Sequence, residues 1–322
     1  MRRIGIATVA LATAAMAGPA AAGAESSATA SAAARGDGAV RIPIAGLGGS
    51  LQNPCFSPDS KRIALTRWPK RYNEGLASVH VAELASGAVL ARVSPEGGTG
   101  VNLPGSCWNA ATDSIVFSLE QDAPDWPYAA RPDGTGLRRL VSLPGQVAIE
   151  PSFSPDGSQV VFEVSKYDAD GNGSIWLANV DGTGARRLTR GVDDRQPNWS
   201  PTGDRIVFQR RRGEVWDAWT IRPDGTGLRN ATRTRRVSET DIAWAPDGRR
   251  IVFSSDAYGG QIAALVAMNV RTRARVRVTR ARRWYDGAPS WSPDGATIAF
   301  EARRGEPDES PGTRLYRIAA PQ

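Results

Sequence analysis

One histidine, two cysteines, three lysines and three methionines occur among the 322 residues of this chain. The single histidine excludes metal centres built on several imidazoles and leaves a Ser-His-Asp triad only His80 to draw on. Two cysteines are too few for a four-thiolate zinc site or a disulfide-dense scaffold. No apolar run suits a membrane span: the best, Ile4 to Ala17, is short and alanine-rich. Nucleophile motifs and cofactor fingerprints are missing too, so the sequence announces no enzymatic chemistry. Lysine is scarce because arginine supplies 37 of the 40 basic residues. The net charge of +7 comes without a nucleic-acid motif. Many arginines (Arg138, Arg186, Arg229, Arg275) are spaced along the chain rather than gathered, which argues against a nucleic-acid partner.

What is present begins with a targeting pattern. Arg2 and Arg3 precede the apolar run, Gly18-Pro19 ends it, and Ala22-Gly23-Ala24 is a small-x-small cleavage site before Glu25. Residues 1–24 therefore read as a secretory signal, and the protein as exported to the periplasm, cell envelope or exterior. Residues 25–38, mostly Ala, Ser, Thr and Gly, read as a flexible low-complexity leader. Residues 39–322 remain for one large domain.

That domain is repetitive. Phe56-Ser-Pro-Asp-Ser, Phe153-Ser-Pro-Asp-Gly, Trp199-Ser-Pro-Thr-Gly, Trp244-Ala-Pro-Asp-Gly and Trp291-Ser-Pro-Asp-Gly are each followed by a short run such as Ile206-Val-Phe. An eroded sixth copy, Trp108-Asn-Ala-Ala-Thr-Asp-Ser-Ile-Val-Phe, has Ala110 in place of the proline. Steps between aligned positions are 52, 45, 46, 45 and 47 residues. A period in the forties with four strand-like segments per copy predicts an all-β, six-bladed propeller of four-stranded antiparallel blades. The last copy ends one strand short, whereas Ala39 to Ile44 is an unassigned β-like segment. This segment is expected to close the last blade, with Pro43 tolerated on an outermost strand. The aromatic two residues before each aligned position and the turn aspartates (Asp59, Asp156, Asp247, Asp294) read as packing and turn residues.

These motifs resemble the TolB-like propeller repeat, written as aromatic-Ser-Pro-Asp-Gly followed shortly by Ile-x-Phe. The resemblance covers Ala39 to Gln322 and implies a six-bladed propeller in an envelope or secreted protein. Family members with a Tol–Pal role carry an α/β domain before the propeller, which this sequence does not show. Related propellers in prolyl-oligopeptidase-like hydrolases are followed by a hydrolase domain, also not seen here.

Three groups are candidate sites. Residues entering the inner strands should converge on the axial channel: Asn53, Glu150, Gln196 and Asp241 at equivalent positions, with Asp194, Glu239 and Asp286 just upstream. Convergent polar groups in a concavity suggest a binding face for a protein, peptide or envelope polymer. A rival is a secreted hydrolase or lyase using paired carboxylates such as Glu150 and Asp241. Asp168, Asp170 and Asn172 match the first half of a calcium loop, although Asn179 replaces the glutamate of the twelfth position. No other cofactor is expected, and the protein reads as a monomer. Cys55 and Cys107 are either a disulfide or two buried thiols.

Overall fold

The computed structural model describes residues 34–95, 103–120, 124–166, 172–191, 193–258, 262–280, 282–305 and 312–322. Blade 1 holds β2 (Ser50–Phe56), β3 (Arg62–Trp68), β4 (Ser78–Glu83) and β5 (Val89–Arg92); blade 2 holds β6 (Trp108–Asn109), β7 (Ser114–Glu120), β8 (Asp125–Ala130) and β9 (Arg138–Arg139). Blade 3 is β10 (Gln146–Phe153), β11 (Gln159–Lys166), β12 (Ser174–Asn179) and β13 (Arg186–Arg187). Blade 4 is β14 (Asp194–Trp199), β15 (Ile206–Arg212), β16 (Val215–Ile221) and β17 (Arg229–Asn230). Blade 5 is β18 (Glu239–Trp244), β19 (Arg250–Ser255), β20 (Ala264–Asn269) and β21 (Arg275–Arg277). In blade 6, β22 (Trp284–Trp291), β23 (Thr297–Arg304) and β24 (Arg314–Ala319) are completed by β1 (Val40–Arg41). Every sheet is antiparallel and runs in chain order, apart from this last one. No helix among the described residues is long and apolar enough to cross a membrane.

The repeat phrase builds each blade locally. In Ser154-Pro155-Asp156-Gly157, Ser154 Oγ donates to Asp156 Oδ1 at 2.6 Å and accepts from Gln159 N at 2.9 Å, while Gly157 takes φ +71. The same serine–aspartate pair sits at Ser292 and Asp294. These aspartates are turn formers, as their spacing implies, with carboxyl pKa values held below the usual range chiefly by the serine hydroxyl. The following apolar run enters the core: Phe117, Phe162, Phe208, Phe253 and Phe300 are wholly buried. Each such ring contributes about 1.5–3 kcal/mol through its removal from water. The six aromatics before the turns (Phe56, Trp108, Phe153, Trp199, Trp244, Trp291) are buried as well and fill blade packing rather than a binding ring.

Closure follows the expected register in a shorter form. Val40 pairs with Arg317 and Arg41 with Tyr316, and Ile42 N donates to Leu315 O at 2.8 Å. Order begins earlier than composition suggested. Arg35, at the end of the supposed flexible leader, forms a bidentate pair with Asp286 at 2.6 and 2.9 Å and lies over the Trp284 ring at 4.5 Å. Residues 35–38 are therefore part of the propeller. A low-complexity stretch can be pinned by one charged residue if a buried acid awaits it. Residues 1–33, including the expected signal segment, lie outside the described residues.

Cys55 and Cys107 form a disulfide with a Cα–Cα distance of 6.0 Å. Equivalent positions in neighbouring blades do face each other here, because inner strands converge near the axis. Closing a loop across 52 positions in sequence limits the unfolded chain by about 4 kcal/mol in the chain-entropy account.

Candidate functional site

The inner strands share one irregularity. Asn53, Glu150, Gln196, Asp241 and Ala288 occupy equivalent positions, and all five have φ between +44 and +52. Each marks a register shift against the second strand of its blade. Such bulges tilt a residue out of the ladder and cost about 1–3 kcal/mol for a non-glycine residue. They leave backbone N–H groups facing inward, and side chains from the preceding blade accept them. Glu301 Oε2 accepts from Asn53 N at 3.1 Å, Ser118 Oγ from Glu150 N at 2.8 Å, Glu163 Oε2 from Gln196 N at 3.3 Å, and Gln209 Oε1 from Asp241 N at 3.4 Å. All four acceptors immediately follow a phenylalanine of the buried run. A polar residue there, such as Glu163 after Ile-Val-Phe-like Val160-Val-Phe162, was the sequence signal for this second ring, which the reading of inner-strand entries missed.

The eroded repeat supplies a floor. Its inner strand is only two residues long, and Gly105, the sixth equivalent position, leaves the ladder. A Cβ on Gly105 would come within 2.5 Å of Pro289 O and 3.0 Å of the Ala243 Cβ, so only glycine permits this approach. Ser290 Oγ donates to Gly105 O at 2.7 Å, and Ser106 Oγ donates to Asn198 Oδ1 at 2.7 Å. Blade 2 thereby reaches blades 4, 5 and 6. Above this floor lies a crevice of about 30 Å³, room enough for water. It leads to a pit of about 280 Å³ lined by Asn53, Trp68, Tyr72, Asp125, Glu150, Gln196, Asp241, Tyr285, Glu301 and neighbours.

Four of the seven expected mouth residues, Asn53, Glu150, Gln196 and Asp241, thus line one cavity. The other three do not. Asp194, Glu239 and Asp286 are fully buried and neutralised by arginine: Asp194 by Arg210 (2.5 and 2.8 Å), Glu239 by Arg275 (3.3 Å), Asp286 by Arg35. Two residues upstream along a strand returns to the same face but lies farther from the bulge, where neighbouring strands supply guanidinium groups. For Glu239, burial outweighs Arg275 and raises its carboxyl pKa to about 7. Of the calcium triplet, Asp168 and Asp170 lie outside the described residues, and Asn172 is exposed at φ +95.

Burial dominates the acids of the pit as it does Glu239 and Asp286. Glu301 is 2% exposed, and its pKa is raised to about 8 by burial first and by Asp241 second. Asp241 is raised too, again chiefly by burial, although Ala288 N, Ser254 Oγ and Tyr285 Oη all approach its Oδ2 at 3.3–3.4 Å. Asp125 rises to about 6 through burial and then Glu120. Behind these groups Arg303 is held between Tyr285 and Tyr72, 4.0 and 4.8 Å from their ring centroids. Several buried polar atoms around the pit have no hydrogen-bond partner: Trp68 Nε1, Asp125 Oδ1, Gln196 Oε1, and Nε and Nη1 of Arg303. His80 is elsewhere, in β4. It is buried, its pKa lowered to about 4 by burial, and its Nε2 lies 2.9 Å from Ser78 Oγ.

Six four-stranded blades around an acid-lined pit define a closed β-propeller with an axial recess. The chain belongs to the TolB beta propeller domain family, whose sequence profile matches residues 25–283. It is 33% identical over 180 residues to a protein TolB homolog of Chlorobium luteolum, a match covering 54% of this chain and 37% of that protein. The chain thus spans little more than a third of that relative's length. The crystal structure of TolB from Acinetobacter baumannii aligns with a TM-score of 0.60 at 17% identity, over 82% of this chain and 64% of that one. An oligogalacturonate lyase in complex with manganese aligns at 0.56 and 13% identity, over 88% and 96%. At these identities the structural likeness concerns the fold.

Proposed function

We propose that this is an exported, non-catalytic propeller that binds a protein or peptide of the cell envelope through the axial pit. The observation that carries the reading is one concave pit where Asn53, Glu150, Gln196, Asp241 and Glu301 converge beside Trp68, Tyr72 and Tyr285. Convergent polar groups and aromatic walls in a concavity favour a guest that meets them with hydrogen bonds. Relatives named as Tol-Pal system protein TolB add weight to an envelope protein as partner. The pit lies at the lower edge of the ~300–1,000 Å³ typical of small-ligand pockets, which suits one side chain or terminus of a larger partner.

The test is capture from cell-envelope extract by the protein lacking residues 1–24. Glu150→Ala with Asp241→Ala should abolish capture, while Arg186→Ala with Arg187→Ala, on the outer strand of blade 3, should leave it intact. The reverse pattern would put the binding surface on the rim.

A second reading, a secreted hydrolase or lyase, draws on one observation: Glu301 and Asp241 are both desolvated, and Asp241 further raises the proton affinity of Glu301. Such a pair is suited to general acid catalysis near neutral pH. Turnover of oligosaccharide or peptide libraries that vanishes in Glu301→Gln would establish it. Inert libraries alongside intact partner capture would leave the binding reading standing.

A further inference from the structure

We propose that the pit receives a single long cationic group, the ammonium or guanidinium head of a lysine or arginine side chain presented by the partner. This rests on the reading of the pit as the binding site and adds the chemistry of its guest. Elsewhere in the molecule, buried acids are matched by cations: Asp194 by Arg210, Asp217 by Arg212, Asp286 by Arg35. Around the pit, Asp125, Asp241 and Glu301 form no ion pair with an ammonium or guanidinium of the described residues, in contrast to those pairs. Burial raises the pKa of all three, and a cation entering the pit favours their charged form. Low-dielectric walls concentrate the field of that form on whatever enters.

The walls fit the same guest. Trp68, Tyr72 and Tyr285 line the pit, and aromatic faces attract cations. Tyr72 and Tyr285 already hold a guanidinium, that of Arg303, between their rings. Asp125, Gln196, Asp241 and Glu301 bring acceptor oxygens to the lining, which suit N–H donors, of which an ammonium brings three and a guanidinium five. No group of three acidic, histidine or cysteine side chains among the described residues converges to hold a metal ion. The acids are distributed along the walls, an arrangement that matches an elongated organic cation better than a point charge.

The experiment titrates the protein with Nα-acetyl-lysine amide, Nα-acetyl-arginine amide, Nα-acetyl-norleucine amide and Nα-acetyl-glutamate amide, following the indole N–H resonance of Trp68. The basic amides should bind at least tenfold tighter than the norleucine amide. Glu301→Gln and Asp241→Asn should each weaken the basic amides at least fivefold, and Arg186→Ala should change nothing. Glutamine can still accept from Asn53 N, and thermal melts of each variant confirm that the fold is kept. Equal binding of norleucine would reduce the pit to an apolar slot and overturn the proposal. So would preference for glutamate, which would make Arg303 the anchor, or absence of any response. If these amides fail while Glu150→Ala with Asp241→Ala still abolishes partner capture, the pit remains the binding site and only its cationic guest is refuted.

Discussion

Two sets of buried acids stand within a few residues of each other and behave differently. Asp194, Glu239 and Asp286 are fully buried, and each meets an arginine from a neighbouring strand or segment. Asp241 and Glu301 are deep in the same ring of strands with no such ion pair among the described residues, and burial raises the pKa of both, as it does for Glu239 and Asp286. Residue type and depth are shared, so neither explains the difference. What separates them is position: at Asp241 the bulged backbone turns to φ +52 beside the pit, and Glu301 lines the same pit from the regular second strand of blade 6. The first set ties elements of the ring together, and the second leaves carboxyl groups lining the pit.

Arg35→Ala tests the paired set most severely. It strands Asp286 in a buried position and removes the cation over Trp284, so a loss of about 3–5 kcal/mol is expected by chemical denaturation. Deletion through Ala34 should be nearly silent by comparison. A small effect of Arg35→Ala would dissolve the distinction between the two sets.

Glu301→Gln should move stability the other way, and only at higher pH. The folded pKa of Glu301, about 8, lies above its unfolded value, so the folded state binds the extra proton between them. That stabilising contribution is fully present below about pH 4 and is lost as pH rises through 8. The glutamine variant escapes the loss. Its stability should match the parent near pH 5 and exceed it at pH 8–9 by on the order of 4 kcal/mol, each of the roughly three pKa units in between being worth about 1.4 kcal/mol. Identical pH profiles would show that Glu301 has found a counter-charge after all.

Asp156→Ala belongs to a third, exposed class and should matter least. Loss of a turn hydrogen bond with Ser154 costs about 0.5–1.5 kcal/mol. The carboxyl pKa is lowered, so this contribution is present above the unfolded pKa and fades as pH falls through the folded one. An effect as large as that of Arg35→Ala would mean that the turns, rather than the buried pairs, govern the stability of the ring.

The repeat period, turn chemistry and missing last strand made six blades and their closure legible from local pattern, because each is written in residues near one another in sequence. Convergence of Asn53, Glu150, Gln196 and Asp241 on one cavity was legible for the same reason: equivalent positions in a closed ring must meet at its axis. The roles of Asp194, Glu239 and Asp286 were not legible. Their arginines lie 16, 36 and 251 residues away, and nothing in the local pattern names such partners. Nor was Arg35 distinguishable from its low-complexity surroundings until Asp286, Trp284, Phe300 and Tyr316 formed a socket for it.

The amino-acid sequence by itself determined the architecture, since alternating apolar runs and proline–glycine turns admit few arrangements other than repeated four-stranded sheets, and six copies admit one ring. The tertiary structure alone decided which acids would be paired with arginine and which would line the pit. It also decided that the eroded second repeat would floor the channel through Gly105. Those outcomes depend on distances between blades and on the dielectric of their interior, and charge pairing over such distances is set only when the chain has closed on itself.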